Sequence, residues 1–115
     1  MALNGALSVD RLVGGVWLLA ASGEHDLATL GALERALAEV RRGGTKAVVD
    51  LSEATFIDST IIGELVRHAR SEGEQLVVVA PPGTRPRQVL DIVCFEEMVP
   101  VFDTRDAALR AFEAC

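Results

Sequence analysis

At 115 residues the chain is the size of one domain with one continuous core, and half of it is apolar with 24% charged, which excludes a disordered polymer. Its 17 acidic residues against 11 basic ones leave a formal charge of -6, a poor match for a phosphate backbone, so nucleic acid is not an expected partner. No apolar run reaches the roughly 18 residues of a membrane span, and the start MALNGALSVD lacks the basic and apolar regions of a signal peptide. Residues 1–115 therefore read as one soluble, cytoplasmic domain. The two cysteines, Cys94 and Cys115, have no metal-ligand spacing and make no disulfide framework, so neither a metal nor any other cofactor is expected.

In chain order, ALSVDRLV alternates, VWLLA is nearly all apolar, and Gly14-Gly15 between them supplies the positive φ angles of a tight hairpin. Leu30, Leu33, Leu37 and Val40 then recur at helical spacing. A helix is predicted over Leu27 to Val40, with Asp26 as N-cap, Arg41 and Arg42 at its negative end and Gly43-Gly44 terminating it in left-handed conformation. KAVVDL reads as a covered strand. TIIGELVRHARSEG returns to a helical period with Ile61, Ile62, Leu65, Val66 and Ala69 inward, leaving Glu64, Arg67, His68 and Ser71 toward water.

QLVVVA reads as another buried strand, ended by the proline-rich PPGTRP. A short helix is expected from Pro86 to Val93, then a last strand in MVPVF. Asp103 or Thr104 would cap a final helix through Phe112, with Ala108, Leu109 and Phe112 turned inward. Trp17 and the four phenylalanines fall within apolar runs and read as core. Cys94 between Val93 and Phe95 reads as a buried apolar side chain, and Cys115 as exposed and incidental. Strands alternating with helices require right-handed crossovers, so the fold class is α/β: a mostly parallel, mixed five-stranded sheet opened by a β-hairpin, with about four helices.

In such folds partners gather where strand C-termini meet helix N-termini, and FIDSTII is one such junction. Asp58 or Ser59 capping the helix is the plain reading. A cap needs one such residue, whereas Asp58, Ser59 and Thr60 stand in a row, leaving a hydroxyl open to modification. A phosphate there lies near the positive end of the helix and adds roughly -1.5 to -2 charges beside Asp58. An enzyme built on Ser59 with His25 or His68 as base and Asp26 or Asp58 as orienting carboxylate has its parts on paper only. There is no glycine-x-serine-x-glycine elbow, and His68 lies more than two turns beyond Ser59. RRGGTK and GTRPR lack phosphate-loop spacing.

KAVVDLSEATFIDST, SGEHDLATLGALERAL and VLDIVCFEEMVPVFDTRDAAL resemble the anti-sigma factor antagonists built on the STAS domain, over roughly residues 7 to 112. The resemblance implies a non-catalytic switch. In that family the serine after the aspartate, here Ser59, is phosphorylated by an anti-sigma factor that is itself a serine kinase of the histidine-kinase-like ATPase fold. The unmodified protein binds that kinase and frees a sigma factor for transcription, and a PP2C-type phosphatase resets the cycle; any ATP belongs to the kinase. Carried over, Ser59 is the phosphorylation site, with Thr60 second. Gly23, Glu24, His25, Asp26, Asp58, Thr60 and Ile61 border the partner surface. Three residues depart from the pattern. Ile61 replaces a usual glycine and is expected to stiffen the turn and enlarge its surface, Cys94 replaces another frequent glycine, and His25 replaces an aliphatic residue. His25 is either a titrating group at the partner surface or an inert loop histidine. The rival reading is a STAS adaptor, a stressosome component or a subunit of a lipid-transport complex, that docks through the same turn.

Overall fold

A computed structural model describes residues 5–113; Cys115 lies outside them. The order is β1 (Ala6–Arg11), β2 (Val16–His25), α1 (Leu30–Gly43), β3 (Lys46–Ile57), α2 (Ser59–Ala69), β4 (Gln75–Val79), α3 (Arg85–Ile92), a 3-10 turn at Phe95–Glu97, β5 (Val101–Phe102) and α4 (Arg105–Glu113). The strands form one sheet in sequence order; β1 and β2 run antiparallel, and every other neighbouring pair is parallel. The expected α/β class and hairpin opening are therefore present. Gly14 and Gly15 have φ of 90° and 81°, and the Leu12 amide donates to the Val16 carbonyl at 2.7 Å to close the turn.

Strand alternation sends side chains to two faces, and each face has its own helices. Leu19, Ala21, Val49, Leu51, Val78 and Ala80 meet Leu33, Leu37 and Val40 of α1, Ile61 and Leu65 of α2, Leu90 of α3, and Phe95. On the opposite face Val16, Leu18, Val48, Val77 and Val79 receive Ala108, with Leu109 and Phe112 packed against them. Short α4 does not cover all of that face. A groove of about 250 Å³ remains beyond its first turn, lined by Ala6, Ser8, Ala20, Ser22, Asp50 and Arg105.

Several local expectations are corrected. Helix α1 starts at Leu30 rather than Leu27, because Asp26 and Thr29 close a turn of their own: Ala28 N donates to Asp26 Oδ1 at 2.9 Å, and Asp26 N to Thr29 Oγ1 at 3.1 Å. Asp26 thus organises the lead-in without capping the helix. Gly44 is extended (φ 167°), so handedness does not select the glycine pair. A Cβ on Gly43 would lie 2.7 Å from Trp17 Cζ2 and one on Gly44 3.0 Å from Trp17 Nε1, so the ring's approach selects them. Glu64 and His68, expected in water, are 5% and 0% exposed because α1 and the turn before β4 flank α2 on both sides. Each keeps a partner: Glu64 is gripped by the Arg67 guanidinium at 2.7 and 2.8 Å, and His68 Nδ1 accepts from Arg41 at 2.9 Å.

The remaining corrections lie at the two ends of the longer crossovers. β3 runs to Ile57, far past KAVVDL, and β5 is two residues where MVPVF was expected whole. Cys94 is exposed rather than buried, with φ 56° and ψ 42°. It is the left-handed residue that ends α3, and a left-handed residue turns the chain sharply enough to send Phe95 inward and its own side chain out. The expected cap of α4 is met by Thr104 of the two candidates, its Oγ1 accepting from Ala107 N at 3.1 Å.

Candidate functional site

The FIDSTII junction is built from a strand extension and a helix start. β4 ends with Val79 opposite Asp50, and beyond that point β3 is hydrogen-bonded to β2 alone. The two strands project together as a ribbon, with Glu24 paired to Phe56 and His25 to Ile57. The chain leaving β2 at Asp26 therefore lies beside the chain leaving β3 at Asp58. Gly23 takes φ 78° within this ribbon, next to an irregularity in the ladder, where a side chain would be strained.

Asp58 caps α2. Its Oδ1 accepts from Thr60 N at 3.0 Å, Ile61 N at 3.2 Å and Thr60 Oγ1 at 2.6 Å. Partial burial pushes the Asp58 carboxyl up, but the bonds from Thr60 and Ile61, together with the Leu27 amide, outweigh it and hold it below the usual carboxylate range. It is an anion at neutral pH. The Leu27 contact ties the end of β2 to the start of α2, and the Leu27 side chain, expected to begin a helix, is instead 68% exposed at the junction.

The three consecutive polar residues divide the work. Thr60's hydroxyl is spent on Asp58, and Asp58's carboxylate on the helix. Ser59, the first residue of α2, is exposed, and among the described residues nothing pairs with its Oγ. The one spare hydroxyl thus stands at the positive end of an eleven-residue helix.

Of the other expected border residues, Glu24 is exposed and Asp26 half-buried. His25 is not a loop residue; it ends β2, is 5% exposed, and its Nε2–H donates to the Ser22 carbonyl at 3.0 Å. Ile61 is 2% exposed and points into the core beside Leu33, Leu51 and Leu65, so it neither enlarges the surface nor offers a side chain to a partner. Neither imidazole is hydrogen-bonded to Ser59, since His25 is tied to Ser22 and His68 to Arg41. Among the described residues, therefore, neither histidine is paired with Ser59. No helix among the described residues is long and apolar enough to cross a membrane.

The chain belongs to the STAS-domain family: the family model "Mlab, STAS domain" matches residues 9–100. The structure is similar to that of an anti-sigma factor antagonist from Mycobacterium paratuberculosis, with TM-score 0.83 and 28% identity over 94% of this chain and 93% of that one. It shares its fold with the anti-sigma factor antagonist SpoIIAA in its unphosphorylated form, TM-score 0.72 at 15% identity, covering 96% of this chain and all of the other. It also shares it with a sulfate transporter family protein from Wolinella succinogenes, TM-score 0.74 at 19% identity over 90% and 89% of the chains.

Proposed function

We propose that this chain is an anti-sigma factor antagonist: a non-catalytic cytoplasmic switch whose state is the charge on Ser59. Unmodified, it binds an anti-sigma factor that is also a serine kinase of the histidine-kinase-like ATPase fold, and so frees a sigma factor. Phosphorylation at Ser59 ends the complex, and a PP2C-type phosphatase restores it. The observation that carries this reading is the uncommitted Ser59 hydroxyl at the tip of the β2–β3 ribbon, next to a Thr60 hydroxyl already bonded to Asp58. The same contrast ranks Ser59 above Thr60 as the modified residue. A phosphate at Ser59 gains from the helix N-terminus, yet it also sets two anionic groups side by side, because Asp58 stays ionised. Glu24 and Asp26 supply further acidity nearby, so modification changes the surface chiefly as electrostatics seen by a partner.

The test is affinity capture from native lysate with wild type, Ser59→Ala and Ser59→Asp as baits, with phosphate mapped by mass spectrometry. Capture of a histidine-kinase-like ATPase by wild type and Ser59→Ala but not by Ser59→Asp is the expected result. Equal capture by both variants would sink the switch. A second reading, a STAS adaptor or scaffold in a stressosome or a transport complex, draws support from the shared fold of the Wolinella succinogenes protein. In that case other STAS proteins or transport subunits are captured whatever stands at residue 59.

A further inference from the structure

Asp50 is a carboxylate in the middle of an apolar strand, 4% exposed, on the face that α4 covers. Its Oδ1 accepts from Ser52 Oγ at 2.5 Å and from Ser52 N at 2.9 Å, and its Oδ2 accepts from Arg105 Nε, in the first turn of α4, at 2.8 Å. These bonds sit on an irregularity. Between Ala20↔Asp50 and Ser22↔Glu53 the ladder advances two residues on β2 and three on β3, which is a bulge in β3, and a second follows between Gly23↔Ala54 and Glu24↔Phe56. Inward residues therefore run Val49, Leu51, Ala54, Ile57 rather than at every second position. Past Asp50 β2 is the one strand paired with β3, so the bulges set which residue arrives at the tip and which way it faces.

We infer that Asp50, braced by Ser52 and Arg105, is a positioning residue for the Ser59 turn: it locks the first bulge and with it the register that delivers Asp58 beside Leu27. As a statement about the switch it rests on Ser59 being the working residue; as a statement about geometry it does not. Burial pushes the Asp50 carboxyl up, but the Ser52 and Arg105 bonds outweigh it and keep it an anion, so the clamp remains charged at neutral pH. Removing Arg105 leaves a buried carboxylate with only Ser52 to hold it, which favours openings that bring water to the bulge. Such openings loosen the ribbon while the sheet below it stays paired.

The test is amide hydrogen exchange by NMR on the isolated chain. The reporters are Thr60 and Ile61, whose amides bond to Asp58, and the reference is Val78, whose amide bonds to Pro100. Arg105 is half-exposed, so Arg105→Ala folds readily, and Ser52→Ala is a milder cut in the same clamp. Relative to Val78, exchange at Thr60 and Ile61 is expected to rise about tenfold in Arg105→Ala and by a smaller factor in Ser52→Ala, with Arg105→Lys recovering most of the protection. A selective rise below about threefold in Arg105→Ala, or a rise that Val78 shares, overturns the inference, since a merely structural role moves all three amides together. An Arg105→Lys chain as fast as Arg105→Ala would overturn the part assigned to charge. No partner enters the measurement, so a missing kinase would end the switch reading and leave this result standing.

Discussion

At the residue scale the turn separates two jobs that one stretch of polar side chains tends to blur. Asp58 holds the helix, and among the described residues the Ser59 hydroxyl holds no partner. Substituting the cap should cost stability while substituting the neighbour should not: Asp58→Ala is expected to lose about 1 kcal/mol in urea unfolding, and Ser59→Ala to stay within about 0.5 kcal/mol of wild type. Equal losses would mean that Ser59 shares the cap. Cys94 is a residue-scale problem of another kind. Its left-handed backbone costs a non-glycine residue about 1 kcal/mol, partly offset by the extra freedom of glycine in the unfolded chain. Cys94→Gly should therefore raise the urea midpoint, with a gain of about 0.5 kcal/mol and an unchanged m-value.

At the element scale, what could be read in advance follows periodicity. The hairpin, α2's aliphatic stripe and β4 have clean patterns and good turn signals, and all three are where the pattern puts them. Periodicity marks β3 only over KAVVDL because its inward spacing shifts from two to three at the bulges, so SEATFI keeps no regular alternation. One signal was there to use: an aspartate inside AVVDL needs partners if the strand is buried, and Arg105 is 55 residues away in sequence, where no local rule looks. The serine turn is legible because capping chemistry is local, and the helical period already turns Ile61 inward; the burial of His25 and the exposure of Cys94 are not legible, since the first depends on what packs from other elements and the second on a left-handed backbone. His68 is the sharpest such miss and carries a pH prediction. Burial depresses its pKa, Arg41 and Arg67 add to that, and Glu64 opposes it, so the native state favours the neutral imidazole. Glu74 Oε1, 3.2 Å from Nε2, is the acidic group on the other side of the ring. A depressed folded pKa means that the unfolded chain binds the proton first. Stability is thus fully present above the usual histidine pKa of about 6.5 and is lost as pH falls from there through the folded value. The ionised Asp50 and Asp58 act in the same direction at lower pH, their contribution being present above 3.8 and lost as each is protonated. Urea midpoints measured between about pH 7 and 5 should fall for wild type and stay level for His68→Gln, which keeps an acceptor for Arg41 without a titrating ring. Parallel slopes would show that His68 is not the group.

At the scale of the whole molecule the balance of charge matters more than any one contact. The chain already carries -6, and a phosphate on Ser59 takes it by roughly -1.5 to -2 further while adding that charge at a single exposed tip rather than spreading it. Ser59 opens an eleven-residue helix capped by Asp58 and packed into the core through Ile61, Ile62 and Leu65, so the added charge sits on an anchored element. The effect of modification on a docked partner should then be repulsion across an interface whose shape is little altered, and repulsion between exposed charges is screened by salt, with a Debye length near 10 Å at 0.1 M and near 3 Å at 1 M. If so, the affinity gap between Ser59→Ala and Ser59→Asp for a captured partner should narrow steeply as salt is raised across this range, largely through the gap in association rate. Surface plasmon resonance at a series of salt concentrations reads both quantities. A gap that keeps its full size at 1 M salt would place the discrimination in shape, the larger side chain of Ser59→Asp being excluded from the interface whatever its charge, and would make the uncharged Ser59→Asn as damaging as Ser59→Asp.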